Sequence, residues 1–443
     1  YDPWLIYRPL DFFEFPTNFG KLKHVQGIEN EAIFVRFENT SILYNKVDYT
    51  NDDGQSPTRP FLGGTSVFQR RSSSFYNAQL GFGGSQNTTS VSCEFGHFHV
   101  DAKRGQVIQT QPSGQQMEEI SAMIGGKPSG MRAWFKEHLP FKILKHFKDV
   151  DVDNNYNGVG ITMAWDSRYR RVFITKKDYI PTNPAITHLD GKYFLGKTEV
   201  FLTDNTKFLD VSWTLAFSPI LGAWMSFYDF KPNYYVSHNE YFQSGVNDTG
   251  SKFGLWSHGL TNKSFGVFYG DKYSFDVEYM VKNEYATKRL DSVSLFTEAK
   301  RYHNEYDWSF NPDLTFNKSL IHNNVACSGY LNLIPQRNNF FNNKNYPKTN
   351  ADGTQDILIS NKDNFQWNYN YFYNRVQNNN SNIPFINYDK NQIEKSINSN
   401  IVGFKGKRVL DRISGDYFKN LLKYDTDSRF SLGLKFTLNE VDI

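Results

Sequence analysis

A strand–turn–strand phrase recurs along the first two thirds of this chain. In each copy an apolar or aromatic run reaches an aspartate, a short polar turn follows, and apolar residues resume. The aspartates are Asp101, Asp166 and Asp229, which are 65 and 63 residues apart. A near-constant spacing is typical of stacked supersecondary units that are each too small to bury a core alone. The phrase therefore predicts a modular, mainly β architecture.

The composition favours strands and argues against tight binding of nucleic acid. Aromatic residues make up 17% of the 443 residues, with 39 Phe and 27 Tyr, and these side chains suit pleated, half-buried surfaces. Lys and Arg number 49 against 46 Asp and Glu, so the net charge is +3. A protein that holds DNA tightly carries a stronger basic bias or a clustered basic patch. We therefore expect transient passage or confinement of DNA without specific binding.

The cysteines and the first residues indicate where the protein is made. Cys93 and Cys327 are too few for a disulfide framework in a chain of this size, so we expect free thiols and a reducing compartment. No apolar run reaches the length of about 18 residues that a transmembrane helix needs. The chain starts at Tyr1 without a basic or apolar leader. We therefore expect a processed product or a fragment, with no signal peptide.

The first three quarters of the chain divide into β units around a helical segment. Residues 1–112 are predicted to form the first β units, and residues 149–329 to form further units continuous with them. Between them, 113–148 is predicted to be a helical insertion, because Ser113 and Ser129 are suited to cap helix starts. Such an insertion on one face of a repeat protein is often a contact surface, and the alternative is a packed connector.

The last quarter has two predicted parts. Residues 330–400 are dominated by Asn, Tyr, Phe and Lys with little periodicity, which predicts a long excursion rich in Asn and aromatic residues. It is either a surface excursion or a segment ordered by a neighbouring subunit. Residues 401–443 are predicted to hold closing strands, and 414–423 fits helix and strand spacing about equally well.

One cluster has residue types that bind metals. Cys93, His97 and His99 are spaced so that period-two geometry places them on one face of a strand, and such ligands suit zinc. A fourth ligand is not evident nearby, and histidines are common on the solvated face of a strand. We therefore predict no metal site.

Other motif-like runs fail on specific residues. The polar run 151–158 resembles a calcium loop, but Tyr156 and Thr162 occupy the places of the required Gly and Glu. The glycine-rich runs 80–85 and 125–128 lack the Lys-Ser or Lys-Thr pair of a phosphate-binding loop. Nucleophile elbows and metalloprotease helix motifs are missing from the sequence. We therefore predict no catalytic residue, no cofactor and no enzymatic activity.

Several phrases resemble large tail proteins of crAss-like phages. The clearest covers 153–179 and reads DNNYNGVGITMAWDSRYRRVFITKKDY. Shorter ones are DVSWTLAFS at 210–218, AWMSFYDFKP at 223–232, LWSH at 255–258 and KRVLDRISGDY at 407–417. The resemblance covers residues 60–280 well and the remainder loosely. Such tail proteins are usually longer than this chain.

The resemblance implies a virion structural protein, the muzzle or nozzle at the distal end of a short phage tail. Proteins of this kind are built around β-propellers, assemble as hexameric homo-oligomeric rings and enclose the channel through which DNA leaves. It further implies contacts with other tail or portal-proximal proteins, a place in the virion tail, and assembly in the cytoplasm of the bacterial host. The spacing of about 64 residues suits propeller blades that carry insertions.

A rival interpretation comes from another class of protein. A carbohydrate-binding or glycan-degrading β protein would also be rich in Trp and Tyr, which stack on sugars, and in scattered carboxylates. No carboxylate pair is marked out by its sequence context, so the tail protein is the favoured interpretation. A glycan array or a hydrolysis assay separates the two.

Overall fold

The structure is a computed structural model, and it shows a mainly β protein, as the sequence predicts. The chain forms two compact units, Tyr1–Gly259 and Leu260–Ile443. In the described residues the one α-helix is α1 (Arg132–His138), and no helix is long and apolar enough to span a membrane. The described residues are 14–28, 32–44, 73–74, 81–87, 89–111, 117–237, 241–247, 252–258, 266–282, 288–304, 307–311, 314–323, 326–336, 347–350, 354–362, 366–370, 414–415, 417–424 and 430–434.

The first unit contains 22 described strands and three short 3-10 helices. The 3-10 helices are Thr17–Phe19, Ile143–Lys145 and Asn155–Asn157. In chain order the strands are β1 (Leu22–Ile28), β2 (Ala32–Phe37), β3 (Ser41–Tyr44), β4 (Ser73–Ser74), β5 (Ser90–Cys93), β6 (Gly96–Asp101), β7 (Gln106–Thr110), β8 (Met117–Glu119), β9 (Met123–Ile124), β10 (Lys127–Pro128), β11 (Gly160–Asp166), β12 (Arg171–Lys177), β13 (Tyr179–Pro181), β14 (Ile186–Leu189), β15 (Lys192–Leu195), β16 (Thr198–Val200), β17 (Phe208–Asp210), β18 (Trp213–Ser218), β19 (Ala223–Tyr228), β20 (Tyr234–Ser237), β21 (Phe242–Val246) and β22 (Gly254–His258).

Four antiparallel sheets follow one another along the first unit. The first sheet is β1-β2-β3-β4, the second is β5-β6-β7-β8, the third is β11-β12-β18-β19 and the fourth is β20-β21-β22. Smaller pairings, β13-β17 and β14-β15-β16, come from the chain between β12 and β18. Each of the four sheets packs against the next one. Aromatic pairs joining them, with the distances between ring centroids, are Phe34–His97 (4.3 Å), Phe98–Phe217 (6.0 Å) and Phe173–Phe242 (4.9 Å).

The inner strands of these sheets are buried on both faces. Every residue of β6 and of β18 is buried. In β6 polar His97 and His99 alternate with apolar Phe98 and Val100, so here the polar face is covered by a neighbouring sheet and not by solvent. The largest apolar cluster of the unit lies between the second and third sheets. Its fully buried members include Phe98, Val107, Phe135, Ile174 and Phe208.

Asp101 and Asp166 of the recurring phrase have the same local role in their hairpins. Asp101 Oδ1 accepts the backbone N–H of Arg104 at 3.1 Å, and Asp101 Oδ2 accepts a hydrogen bond from the Arg104 guanidinium at 2.7 Å. Asp166 Oδ1 likewise accepts the N–H of Tyr169 at 3.4 Å, and its other oxygen accepts from Arg171 Nε at 2.9 Å. Each carboxylate thus fastens the turn that follows its strand, as Asp side chains do in turns.

The spacing of the phrase is not the period of the fold. Asp101 ends the second strand of the second sheet, Asp166 ends the first strand of the third sheet, and Asp229 follows the last strand of that sheet. The three positions are therefore not equivalent. The predicted repeat of about 64 residues is wrong as a structural period, because similar hairpin chemistry occurs at different places in successive sheets.

The segment 113–148 is only partly helical. Residues 112–116, including Ser113, lie outside the described residues, and the helix predicted across 117–123 is wrong, because these residues form β8 and the start of β9. β8 pairs with the free edge of β7, and such pairing outweighs a modest helix preference. The second predicted helix is present as α1.

Much of this segment belongs to the core of the first unit. Phe135 on α1, Leu139 after it and Ile143 beyond have no exposed surface. All three lie in the apolar cluster between the second and third sheets. Of the two alternatives for this segment, a contact surface or a packed connector, the residues around α1 fit the packed connector.

The second unit is dominated by one ten-stranded sheet. Its order is β25-β35-β29-β30-β32-β33-β27-β28, with β31 on β32 and β36 on β27, and it curls into a half-barrel. The β30–β32 pair is parallel. The described strands are β23 (Val267–Phe268), β24 (Asp271–Lys272), β25 (Phe275–Lys282), β26 (Lys288–Arg289), β27 (Val293–Asn304), β28 (Asp307–Asn311), β29 (Lys318–His322), β30 (Cys327–Gln336), β31 (Lys348–Thr349), β32 (Gln355–Lys362), β33 (Gln366–Tyr369), β34 (Ser414–Gly415), β35 (Tyr417–Tyr424) and β36 (Phe430–Leu434).

The structure revises the prediction for 330–400. Its described residues up to 370 contribute the end of β30 and all of β31, β32 and β33, and Ile357, Ile359 and Trp367 are buried in the core of the second unit. This part is therefore sheet and not a surface excursion, and 371–400 lies outside the described residues. Within 401–443, the sequence left 414–423 open between helix and strand, and β35 shows that 417–423 is a strand.

Candidate functional site

The structure separates the cysteine from the two histidines of the metal-like cluster. β5 and β6 form a tight hairpin in which Cys93 pairs with Gly96 and Ser92 pairs with His97. Ser92 Oγ lies 2.8 Å from Nδ1 of His97, so these two side chains share a face, and Cys93 lies on the opposite face. The prediction of a common face is wrong, because period-two counting does not carry through a two-residue turn. His99 and His97 are both fully buried, so the alternative to a metal site, a place on the solvated face of a strand, does not apply to them either.

The buried histidines form a layer between the first and second sheets. Phe34 of β2 contacts both rings, with centroid distances of 4.3 Å to His97 and 5.4 Å to His99. His24 of β1 stacks beside His97 at 6.4 Å between ring centroids. Arg36 of β2 is also fully buried in this layer. We call these residues of β1, β2 and β6 the histidine layer.

Arg36 gives the histidine layer a fixed positive charge. Its guanidinium donates hydrogen bonds to the backbone carbonyls of Gln86 (2.9 Å), Asn87 (3.1 Å) and Thr89 (3.2 Å). It thereby fastens the chain before β5 onto β2. A bound cation beside this charge would be repelled, and no group of His, Cys, Asp and Glu in the described part of the chain is arranged to hold a metal ion.

The run 151–158 fastens loops together. Asp151 accepts the N–H of Asp153 at 2.9 Å, and Asp153 accepts the N–H of Asn87 at 3.0 Å. The Asn155 carbonyl accepts a hydrogen bond from the Asn233 side chain at 2.9 Å. Its carboxylates are thus engaged with backbone groups, as in an ordinary polar turn.

The two glycine-rich runs are sites of tight backbone geometry. A Cβ on Gly83 would lie about 2.5 Å from the carbonyl oxygen of Glu38, so the glycine allows two backbones to approach. Gly125 and Gly126 form the turn between β9 and β10, where both have positive φ. Neither run opens a helix, so neither resembles a phosphate-binding loop.

A buried ion pair escaped prediction from the sequence. Lys176 Nζ donates to Asp178 Oδ2 (2.6 Å) and to the carbonyls of His138 (2.8 Å) and Pro140 (3.0 Å). Asp178 in turn accepts the N–H of Lys142 at 2.6 Å. Burial lowers the pKa of Lys176 to about 8. The three N–H donors of Lys176 are all used inside the protein, so the ion pair joins the end of α1 to the third sheet. No local motif marks this contact, because the carbonyls of His138 and Pro140 are distant from Lys176 in the sequence.

The third sheet ends in an exposed apolar surface at its edge strand, β19. Leu221 in the β18–β19 turn is 69% exposed and Ile220 is 55% exposed. Met225 and Phe227 on β19 are 48% and 55% exposed. We call these four residues the β19 surface. Trp134 of α1 packs beside it, 5.0 Å from Phe227 between ring centroids.

This edge lacks the usual protection against association. Residues 218–228 contain no Asp, Glu, Lys or Arg, whereas edge strands of monomeric proteins are usually guarded by charge. The pairing register of β18 and β19 shifts between Leu215 and Phe217, which bends the edge but leaves its side chains exposed. Exposed apolar residues close together in a folded protein are candidates for an interaction site. The uncharged run itself was the sequence signal for it.

Comparison with known proteins assigns no family to the chain. No protein-family model matches it. The curated proteins likewise contain no match to it. Among the described residues, the β19 surface is the strongest candidate for a functional site.

Proposed function

We propose that the protein is a virion structural protein of a phage tail. In this proposal it forms the distal ring, the muzzle or nozzle, around the DNA exit channel, where it retains DNA and opens for ejection. It acts mechanically and not as an enzyme. It is assembled in the host cytoplasm, as a hexamer by the resemblance, and contacts other tail or portal-proximal proteins.

The order of sheets in the first unit supports a propeller-like arrangement. A propeller blade is a small antiparallel meander of about four strands, and successive blades pack face to face around a central channel. The first three sheets have four strands each and the fourth has three, and all four pack in chain order. We propose that these sheets are blades, with β13–β17 as an insertion in the third.

The β19 surface is the observation that carries the proposal of a ring. A closed ring needs a repeated contact in which one surface of each copy meets a different surface of the next. We propose a second copy of this chain as the occupant of the β19 surface. Its apolar residues and its lack of charge suit the dry centre of such an interface, from which charged residues are depleted.

The charge balance supports a channel for DNA in transit. A wall that neutralised many phosphates would release counterions and hold DNA tightly. A net charge of +3 on 443 residues supplies little such attraction. DNA is therefore confined by the ring without being bound by it.

A substitution in the β19 surface tests the proposal, with the molar mass of the particle measured by light scattering. Leu221→Asp places a charge at the most exposed of its four residues, and we expect the ring to fall to single chains of 51.5 kDa. Phe201→Asp is the matched control, since Phe201 is 63% exposed but lies outside this surface. An unchanged mass for Leu221→Asp refutes the assignment of the contact. Binding of glycans by single chains would favour a carbohydrate-binding protein instead.

A further inference from the structure

The histidine layer holds two imidazoles away from water, beside a fixed positive charge. His97 and His99 have no exposed surface. Nε2 of His97 has no hydrogen-bond partner. The backbone of Phe82 and Gly83 lies against the His99 ring and partly favours its charged form, but burial outweighs this contribution. A protonated imidazole has two N–H donors and needs two acceptors. The layer gives His97 a single partner, Ser92.

The charges around the two rings also oppose protonation. Arg36 on β2 is the nearest fixed positive charge, and His24 on β1 adds a second when it is protonated. The other charged groups near the layer are Asp101 at the end of β6, paired with Arg104, and Asp153 before β11.

The two nearby carboxyl groups do not reverse this balance. Burial raises the pKa of Asp101 and of Asp153 above the usual value of an aspartate. Their protonation in the folded state therefore favours folding slightly as the pH falls. It also removes the negative charges that attract Arg36.

We propose that the histidine layer is an acid-sensitive joint, so that protonation of His97 and His99 releases the first sheet from the second while the third sheet stays folded. The first sheet depends on this contact, since its inner residues Phe34 and Arg36 are buried against the second sheet and the chain before it. The third sheet is held separately through the apolar cluster that it shares with the second.

The direction of the pH dependence follows from the two histidines. Burial, with the charge of Arg36 beside it, lowers the pKa of His97 to about 3 and that of His99 well below its usual value of 6.5. Below pH 6.5 the released state binds protons that the closed state excludes, so acid favours release. Each histidine raises the equilibrium constant for release about tenfold per pH unit, and the pair about a hundredfold.

Hydrogen exchange at pH 7.0 and pH 4.5, corrected for intrinsic exchange rates, tests the joint. We expect protection of β1 and β2 to fall about ten-thousandfold between these values, while β11 and β12 keep theirs. Equal loss of protection in the first and third sheets would overturn the proposal. The double variant His97→Gln, His99→Gln should lose most of this pH dependence, and the exposed-site control His146→Gln should keep it.

A second measurement on the unmodified chain covers the case in which the double variant does not fold. The ring proton signals of His97 and His99 should show no titration in the closed protein between pH 8 and pH 5. Rings that titrate near pH 6.5 with the first sheet still protected would overturn the proposal.

Discussion

Replacing Asp178 by asparagine removes the counter-ion of a buried lysine while keeping the size of the side chain. Lys176 is 1% exposed and Asp178 fully buried, so water cannot replace the lost charge. The amide oxygen can still accept from Lys142 N–H and Lys176 Nζ at the position of Oδ2. The NH₂ group in place of Oδ1 then faces two N–H donors, those of Ile143 and Tyr179. Breaking a buried ion pair in this way costs about 3–5 kcal/mol of unfolding free energy.

Urea unfolding followed by tryptophan fluorescence measures this loss. With a slope of about 3 kcal/mol per molar urea, the midpoint should fall by about 1–2 M. Trp134 and Trp213 report on the region, because their rings pack together at 4.9 Å between centroids beside α1. The matched control is Glu199→Gln, which removes the partner of Lys192 in an exposed pair and should cost less than about 1 kcal/mol.

Replacing the lysine of the pair, and not the aspartate, should have a smaller effect on stability. Lys176→Met leaves Asp178 with the backbone N–H donors of Lys142, Ile143 and Tyr179, so its carboxylate stays hydrogen-bonded. Lys176→Met should therefore destabilise the protein less than Asp178→Asn. If Asp178→Asn costs no more than the exposed control, the pair does not join α1 to the third sheet as described.

Two further predictions concern tight packing and thiols. Gly83→Ala should lower stability by about 1–3 kcal/mol, because its Cβ would collide with the backbone at Glu38, and an unchanged urea midpoint would contradict this. In native protein a thiol reagent should modify half-buried Cys93 well before buried Cys327, which should react only after unfolding, and equal rates would contradict the assigned burial.

The strands were predictable where local chemistry decides them. β11 and β12 come from two mainly apolar runs with a short turn between them. The turn after Asp166 joins them into an antiparallel hairpin, as the sequence predicts. The mainly β fold follows from the same aromatic and β-branched composition. The predicted helix across 117–123 is wrong because a distant partner, β7, offers a free edge that no local preference reports.

The candidate sites were less predictable because their partners are remote. His97 and His99 suit the solvated face of a strand by pattern, yet the first sheet covers them. Lys176 is buried because carbonyls near α1, more than 30 residues earlier, accept its hydrogen bonds. By contrast, the residues of the β19 surface are close together in the sequence, within the uncharged run 218–228.

The most direct test of the proposed ring is negative-stain imaging of the purified chain, with its mass measured by light scattering on the same sample. The proposal predicts closed rings with a central hole and a mass that is a multiple of 51.5 kDa, about sixfold by the resemblance. A monodisperse particle of one chain without a hole would contradict it.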